Sequence, residues 1–142
     1  MRYLLDTNVI SEVSKPEPEA RCLEWLAAHQ NDCGLSTITL AELCYGVERL
    51  PEGRRKRLLG KKLEFLRQDY RESVLDFDEN AASQWGRYLA RLEQQLGAGI
   101  LDRLDYPDTQ IAAIALANGM TVVTNNGSDF PGVATVNPYE ET

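Results

Sequence analysis

Four acidic side chains sit where an acid needs a reason. Asp6 directly follows the apolar run Tyr3-Leu4-Leu5, where burial is expected. A buried carboxylate is costly unless it is paired or bound to a cation. Glu42 lies in a helical stretch, roughly 120° around from the middle of its apolar stripe. Asp108 stands just after Pro107, in the first turn of an Ala/Ile-rich helix, and Asp129 lies in the loop N-N-G-S-D-F-P at 125–131, beyond an apolar strand. Taken singly, each has a plain structural role. Asp6 would cap a helix, Glu42 would face solvent, Asp108 would suit the helix dipole, and Asp129 would form a turn. Asp102 and Asp105 compete with Asp108 for any chemical role. As a set they say more, because three of the four fall where strand ends and helix starts converge. Carboxylates sharing a small site cannot all stay charged unless cations neutralise them. An all-oxygen set prefers Mg²⁺ or Mn²⁺ to Zn²⁺. His29 is the lone histidine, which weakens both a zinc site and a histidine general base. Such a site suits phosphodiester hydrolysis, with metal activating water and stabilising the leaving oxygen.

The elements that must position these acids follow from periodicity and punctuation. Short apolar strands are expected at Tyr3–Leu5, Cys33–Ser36, Ser73–Phe77, Met120–Thr124 and Val133–Val136. Helices are expected at Thr7–Val13, ended before Pro16 and Pro18, and at Glu19–His29. Thr39–Leu50 carries Leu40, Leu43, Val47 and Leu50 as its stripe, and Gly53–Tyr70 turns Leu58, Leu59, Leu63, Leu66 and Tyr70 inward. Glu79–Leu96 is closed by Gly97 and Gly99, and Pro107–Asn118 by Gly119. Strands alternating with helices predict an α/β fold, with a central parallel sheet covered on both faces. Ligands in such folds bind at the carboxyl ends of the strands. Two strands end in polar residues there, in Asp6-Thr7-Asn8 and in Thr124-Asn125-Asn126.

A length of 142 residues suits one domain. The net charge of −7 argues against coating nucleic acid by bulk positive charge. It does not exclude an enzyme that meets nucleic acid through metal ions. Moreover, the charge is uneven. Segment 54–71 holds eight Lys or Arg against two acids, a net +6, which leaves −13 for the rest. That segment is a candidate phosphate-binding ridge through Arg54, Arg55, Arg57 and Lys61, or else a solvated helix face. Other acids, including Glu17, Glu24, Glu93 and Glu141, read as solvated surface. Cys22, Cys33 and Cys44 are odd in number and widely spaced, so buried free thiols in a reducing cytosol are expected. The N-terminus reads as neither a signal peptide nor a membrane span, and a cytoplasmic location follows.

Four segments then resemble a family. LLDTNVIS at 4–11, ITLAELCYG at 38–46, DTQIAAIA at 108–115 and VVTNNGSDF at 122–130 are similar to the signature segments of PIN-domain nucleases. Within that group the length and opening resemble the toxin ribonucleases of VapBC-type toxin–antitoxin pairs. The resemblance implies a three-layer α/β/α PIN-like fold and Mg²⁺-dependent endoribonuclease activity, with Mn²⁺ as an alternative. It carries the family's acids onto Asp6, Glu42, Asp108 and Asp129 as metal-binding catalytic residues. Thr7, Asn8 and Thr124 fall on supporting positions. Asn126 stands where some members carry the fourth acid instead of a position like Asp129. The stretch GILDRLDYPD at 99–108 is longer than usual before the third acid, so Asp105 remains a rival to Asp108. The implied partners are an RNA substrate, a small VapB-like antitoxin whose tail wraps the toxin, and a second copy in a homodimer.

Two other readings compete. One is a catalytically silent PIN-like binding module that acts through a partner or RNA, although all four acid positions are filled. The other is a phosphatase or receiver-like domain with Asp6 as nucleophile. Dehalogenase-type sites want a second Asp where Asn8 stands, and a receiver wants a late lysine where none follows Lys62. No G-x-x-x-x-G-K segment is present either.

Overall fold

The computed structural model describes residues 1–140; Glu141 lies outside the described residues. Five short strands, β1 (Tyr3–Leu5), β2 (Cys33–Ser36), β3 (Val74–Leu75), β4 (Thr121–Val123) and β5 (Thr135–Val136), form one sheet in the order β3-β2-β1-β4-β5. Every neighbouring pair is parallel. The chain builds outward from β1 through β2 to β3, then crosses to the other side of β1 for β4 and β5. The order therefore reverses between β1 and β4, the place where open α/β sheets leave a crevice.

Six helices cover the sheet: α1 (Thr7–Val13), α2 (Ala20–His29), α3 (Thr37–Glu48), α4 (Arg54–Asp69), α5 (Glu79–Leu96) and α6 (Tyr106–Asn118). Adjacent strand residues point to opposite faces, and the core divides accordingly. Leu4 and Val122 pack with Ala81, Tyr88 and Leu92 of α5 and Ile111 and Ile114 of α6. Leu5, Leu35 and Val123 pack with Val9 and Ile10 of α1 and Cys22 of α2. The expected three-layer α/β/α arrangement is what forms.

Boundaries shift where local chemistry outweighs pattern. Helix α3 starts at Thr37, two residues early, because the Ser36 Oγ accepts the Thr39 N–H at 3.0 Å and caps it. It ends at Glu48, so Leu50 lies beyond it. Ser73 belongs to a 3-10 turn, and β3 shrinks to two residues. Strand β5 also shrinks to two residues. Helix α5 runs over the expected span, capped by the Asp78 carboxylate on the Ala81 N–H at 2.9 Å. Helix α6 ends at Gly119 with φ +63°, the left-handed conformation that favours glycine. Gly34 has another cause: a Cβ there would meet the Ser73 carbonyl oxygen at 2.8 Å, so β2 and the turn before β3 lie too close for a side chain.

Two expectations fail. Helix α4 has no fully buried residue, and Leu58 is exposed rather than inward. Only Leu66 and Tyr70, near its C-terminal end, reach the core. Cys22 and Cys33 are buried, but Cys44 is exposed, one step around α3 from the inward Leu43. All three thiols are free. Among the described residues, no helix is long and apolar enough to cross a membrane.

Candidate active site

Asp6 caps the first helix and faces the crevice at once. It is the residue after β1, where the chain leaves extended geometry to start α1. The Thr7 N–H donates to Asp6 Oδ1 at 2.7 Å. The Thr124 hydroxyl, just past β4, donates to Oδ2 at 2.9 Å. The first residue of α1 and the residue after the neighbouring strand β4 thus fix one buried carboxylate between them. Burial raises its pKa, and these two hydrogen bonds oppose the rise.

Glu42 comes from α3. The Thr7 hydroxyl donates to Glu42 Oε1 at 2.7 Å and lies 3.2 Å from the Thr39 hydroxyl. Thr39 in turn is the residue capped by Ser36. The same cap that starts α3 early therefore sets the rotation at which Glu42 meets Thr7. Glu42 is half-buried, and its pKa too is raised, first by burial and then by the charges of Asp105 and Asp6.

Asp108 sits in the first turn of α6 and Asp129 in a 3-10 turn over Gly127–Asp129. Asp6, Glu42, Asp108 and Asp129 line one pocket of about 350 Å³, with Thr7 and Asn8. Asp108 is pushed up to about 7 by burial and by the charges of Asp6, Asp105, Asp129 and Glu42. Burial and the neighbouring carboxylates thus favour the protonated form of Asp108. Among the described residues, no three Asp, Glu, His or Cys side chains are arranged to hold a metal ion as they stand; the carboxylates line the pocket without converging on one point.

The supporting residues fall around this set. The Asn8 amide donates to the Asn125 side chain at 2.7 Å, tying α1 to the loop after β4. The Asn126 backbone N–H donates to the Thr124 hydroxyl at 3.1 Å, and its amide donates to Asp129 Oδ2 at 2.7 Å. Asn126 is thus a brace on Asp129, and Asp129 is the acid that lines the pocket.

The basic ridge is divided. Arg54, Arg57 and Lys61 are exposed on α4 and line neither this pocket nor the groove beside it. Arg55 and Lys62 line that groove, a trough of about 1250 Å³ between α1, α2, α3 and α4. Groove and acid pocket meet at Thr7, Ser11, Lys15 and Glu42.

Two residues near the site escaped the sequence, and Asp105, read there as a rival to Asp108, also bears on it. Ser11 and Lys15 line the pocket. Ser11 stands one turn after Thr7, a spacing that keeps one face of α1, whereas Lys15 lies past the end of that helix, where the prolines at 16 and 18 read only as a helix end. Asp105 is the N-cap position of α6, and its charge reaches Asp6, Glu42 and Asp108.

Known proteins resemble this chain over nearly its whole length. The chain is 40% identical to the plasmid stability protein StbB of Pseudomonas syringae pv. tomato, over 96% of this chain and 98% of that one. It is 34% identical to the VapC ribonuclease Y4jK of Sinorhizobium fredii, covering 96% and 97%. It is also 34% identical to the toxin FitB of Neisseria gonorrhoeae, covering 97% and 99%. A solved structure of FitAB bound to an IR36 DNA fragment superposes with a TM-score of 0.88 at 33% identity, covering 99% of this chain and 97% of that one. The PIN domain profile itself matches residues 3–136. With the profile, the relatives and the fold in agreement over nearly its whole length, this chain belongs to the PIN domain family.

Proposed function

We propose that this chain is a divalent-cation-dependent endoribonuclease and the toxin of a toxin–antitoxin pair. One observation carries the reading: four carboxylates from distant parts of the chain line one pocket, and their mutual charge helps push Asp108 up to about 7. An all-oxygen, electron-rich pocket fits a hard cation, Mg²⁺ or Mn²⁺. Asp6, Glu42, Asp108 and Asp129 would hold it. When bound, the cation acidifies water for attack on a phosphodiester and neutralises charge on the phosphate.

The chain's own residues do the rest. Thr124 and the Thr7 N–H orient Asp6 and favour its ionised form against the burial that raises its pKa. The Thr7 hydroxyl holds Glu42, and Asn126 holds Asp129. Arg55 and Lys62, along the groove, supply contacts to RNA phosphates, with Arg54, Arg57 and Lys61 as an outer ridge. A relative named a VapC ribonuclease supports the substrate class, and one named a toxin supports the role.

The partner is an antitoxin whose apolar segment covers the groove. Leu23, Leu43, Leu58 and Phe65 line it, and it opens on the acid pocket. A tail bearing Arg or Lys that continued into the pocket would neutralise the carboxylates. Tyr45, Leu96 and Tyr106 are exposed outside the groove lining and leave surface for a homodimer. Three free thiols suit the cytoplasm.

The test is cleavage of total RNA with Mg²⁺ or Mn²⁺, with cut ends mapped. Asp6→Asn should lower cleavage by at least about 100-fold while the far-ultraviolet circular dichroism is kept. Full activity in that variant would sink the mechanism. A wild-type chain that binds its antitoxin but cuts nothing would favour the silent binding module.

A further inference from the structure

Lys15 is the one basic side chain lining the acid pocket among the described residues. It sits just past the end of α1, where pocket and groove meet. Its side chain is 60% exposed, yet its Nζ is fixed 3.0 Å from Glu12 Oε1. Glu12 is the unusual member of the pair. Its side chain is only 7% exposed, and a buried carboxylate needs donors. It has three. Besides Lys15, the Tyr139 hydroxyl donates to Oε1 at 2.9 Å and the Glu19 N–H donates to Oε2 at 3.1 Å. These donors come from the end of α1, the cap position of α2 and the tail after β5. A three-way junction therefore holds the ammonium end of one lysine.

An ammonium has three donors, and Glu12 accepts from one. The remaining two are free to turn toward the mouth of the pocket. A phosphate approaching four carboxylates meets repulsion, which a fixed cation at the rim offsets. Arg55 and Lys62 lie along the same groove, so Lys15 ends a basic path leading to the carboxylates.

We propose that Lys15 is a substrate-positioning residue that grips an RNA phosphate at the mouth of the acid pocket, and that Glu12 and Tyr139 hold it in place. This rests on the nuclease reading above. Lys15 sets affinity and register, and the four acids carry the chemistry.

Two measurements test it. With Mg²⁺-dependent cleavage of a short single-stranded RNA, Lys15→Ala should raise KM about 10-fold and change kcat less than about 3-fold. Lys15→Arg should restore KM to within about 3-fold, because charge is what the phosphate reads. Glu12→Gln should raise KM in the wild-type background and add nothing in the Lys15→Ala background. The second measurement needs no cleavage. Binding of the same RNA, labelled with fluorescein, to Asp6→Asn is followed by anisotropy across a salt series. Adding Lys15→Ala should flatten the slope of log K against log salt by about 0.7, the value of one phosphate contact on a single strand. If the wild type does not cleave but the slope flattens, the nuclease reading fails and the Lys15 assignment stands. If the wild type cleaves and Lys15→Ala leaves both KM and slope unchanged, the Lys15 assignment alone is overturned.

Discussion

The two faces of the sheet are built to different standards. On one face, α5 and α6 bury Tyr88, Leu92, Ile111 and Ile114 almost completely against Leu4 and Val122. On the other, α1 and α2 bury a smaller set, and α4 rests outside with Leu58 and Phe65 left 54% and 65% exposed. The first face closes a core, and the second leaves a groove. The acid pocket lies on the seam between them. Asp108 reaches it from α6 on the closed face, and Glu42 from α3 on the open one. The fold thus draws acids from both faces to one pocket and leaves the α4 side of the open face exposed beside it.

The largest expected effect lies on the closed face. Ile111→Ala should cost about 3–4 kcal/mol in urea unfolding, since a fully buried branched side chain leaves a cavity. Leu58→Ala on the open face should cost less than about 0.5 kcal/mol. Equal losses would abolish the distinction between the faces.

The seam comes next. Asp108 has a folded pKa near 7 against an ordinary 3.8. A raised acid pKa means the folded state binds more protons than the unfolded chain between those values. The contribution of Asp108 to the stability of the metal-free protein should therefore be fully present below about pH 4 and be lost as pH rises through 7. Asp108→Asn should remove that slope and stabilise the metal-free protein by about 1–2 kcal/mol at pH 8, after allowance for solvent screening of a half-buried group. The same change should abolish cleavage. Thermal scans at pH 5 and pH 8 check the sign, and a destabilised variant at pH 8 would contradict it.

A smaller effect is expected where α3 joins the seam. Ser36→Ala removes the cap on Thr39 and should cost about 1 kcal/mol. Because Thr39 neighbours the Thr7–Glu42 bond, cleavage should also fall several-fold. A lost cap with unchanged cleavage would uncouple the start of α3 from the position of Glu42.

The closed face was the more legible of the two in sequence. Helix α5 has a polar cap at Asp78, a glycine stop at Gly97 and a strong 3.6-residue period between them, so local and tertiary signals agree. Asp6, Glu42, Asp108 and Asp129 were readable because each sits beside an apolar run or a helix start, where an acid is out of place. Leu58 was misread because periodicity reports which residues share a helix face, and not whether anything covers that face. Lys15 was missed for a different reason. Its place depends on Glu12 being buried by Tyr139, 127 residues further along the chain, and no local pattern carries that contact.

Phe65 gives the finest test of the comparison. Its ring is exposed, lines the groove, and belongs to a helix with no fully buried residue. Phe65→Ser should therefore change unfolding free energy by less than about 0.5 kcal/mol. An exposed aromatic ring on a wall beside the acid pocket is the kind of side chain a partner buries. Antitoxin affinity should fall about 10-fold or more in titration calorimetry, while RNA cleavage by the free protein stays near wild type. If stability falls with affinity, α4 belongs to the core after all and the open face is an illusion. If affinity alone falls, the exposure of α4 is a binding surface, and the weak packing on that side of the sheet follows from its use.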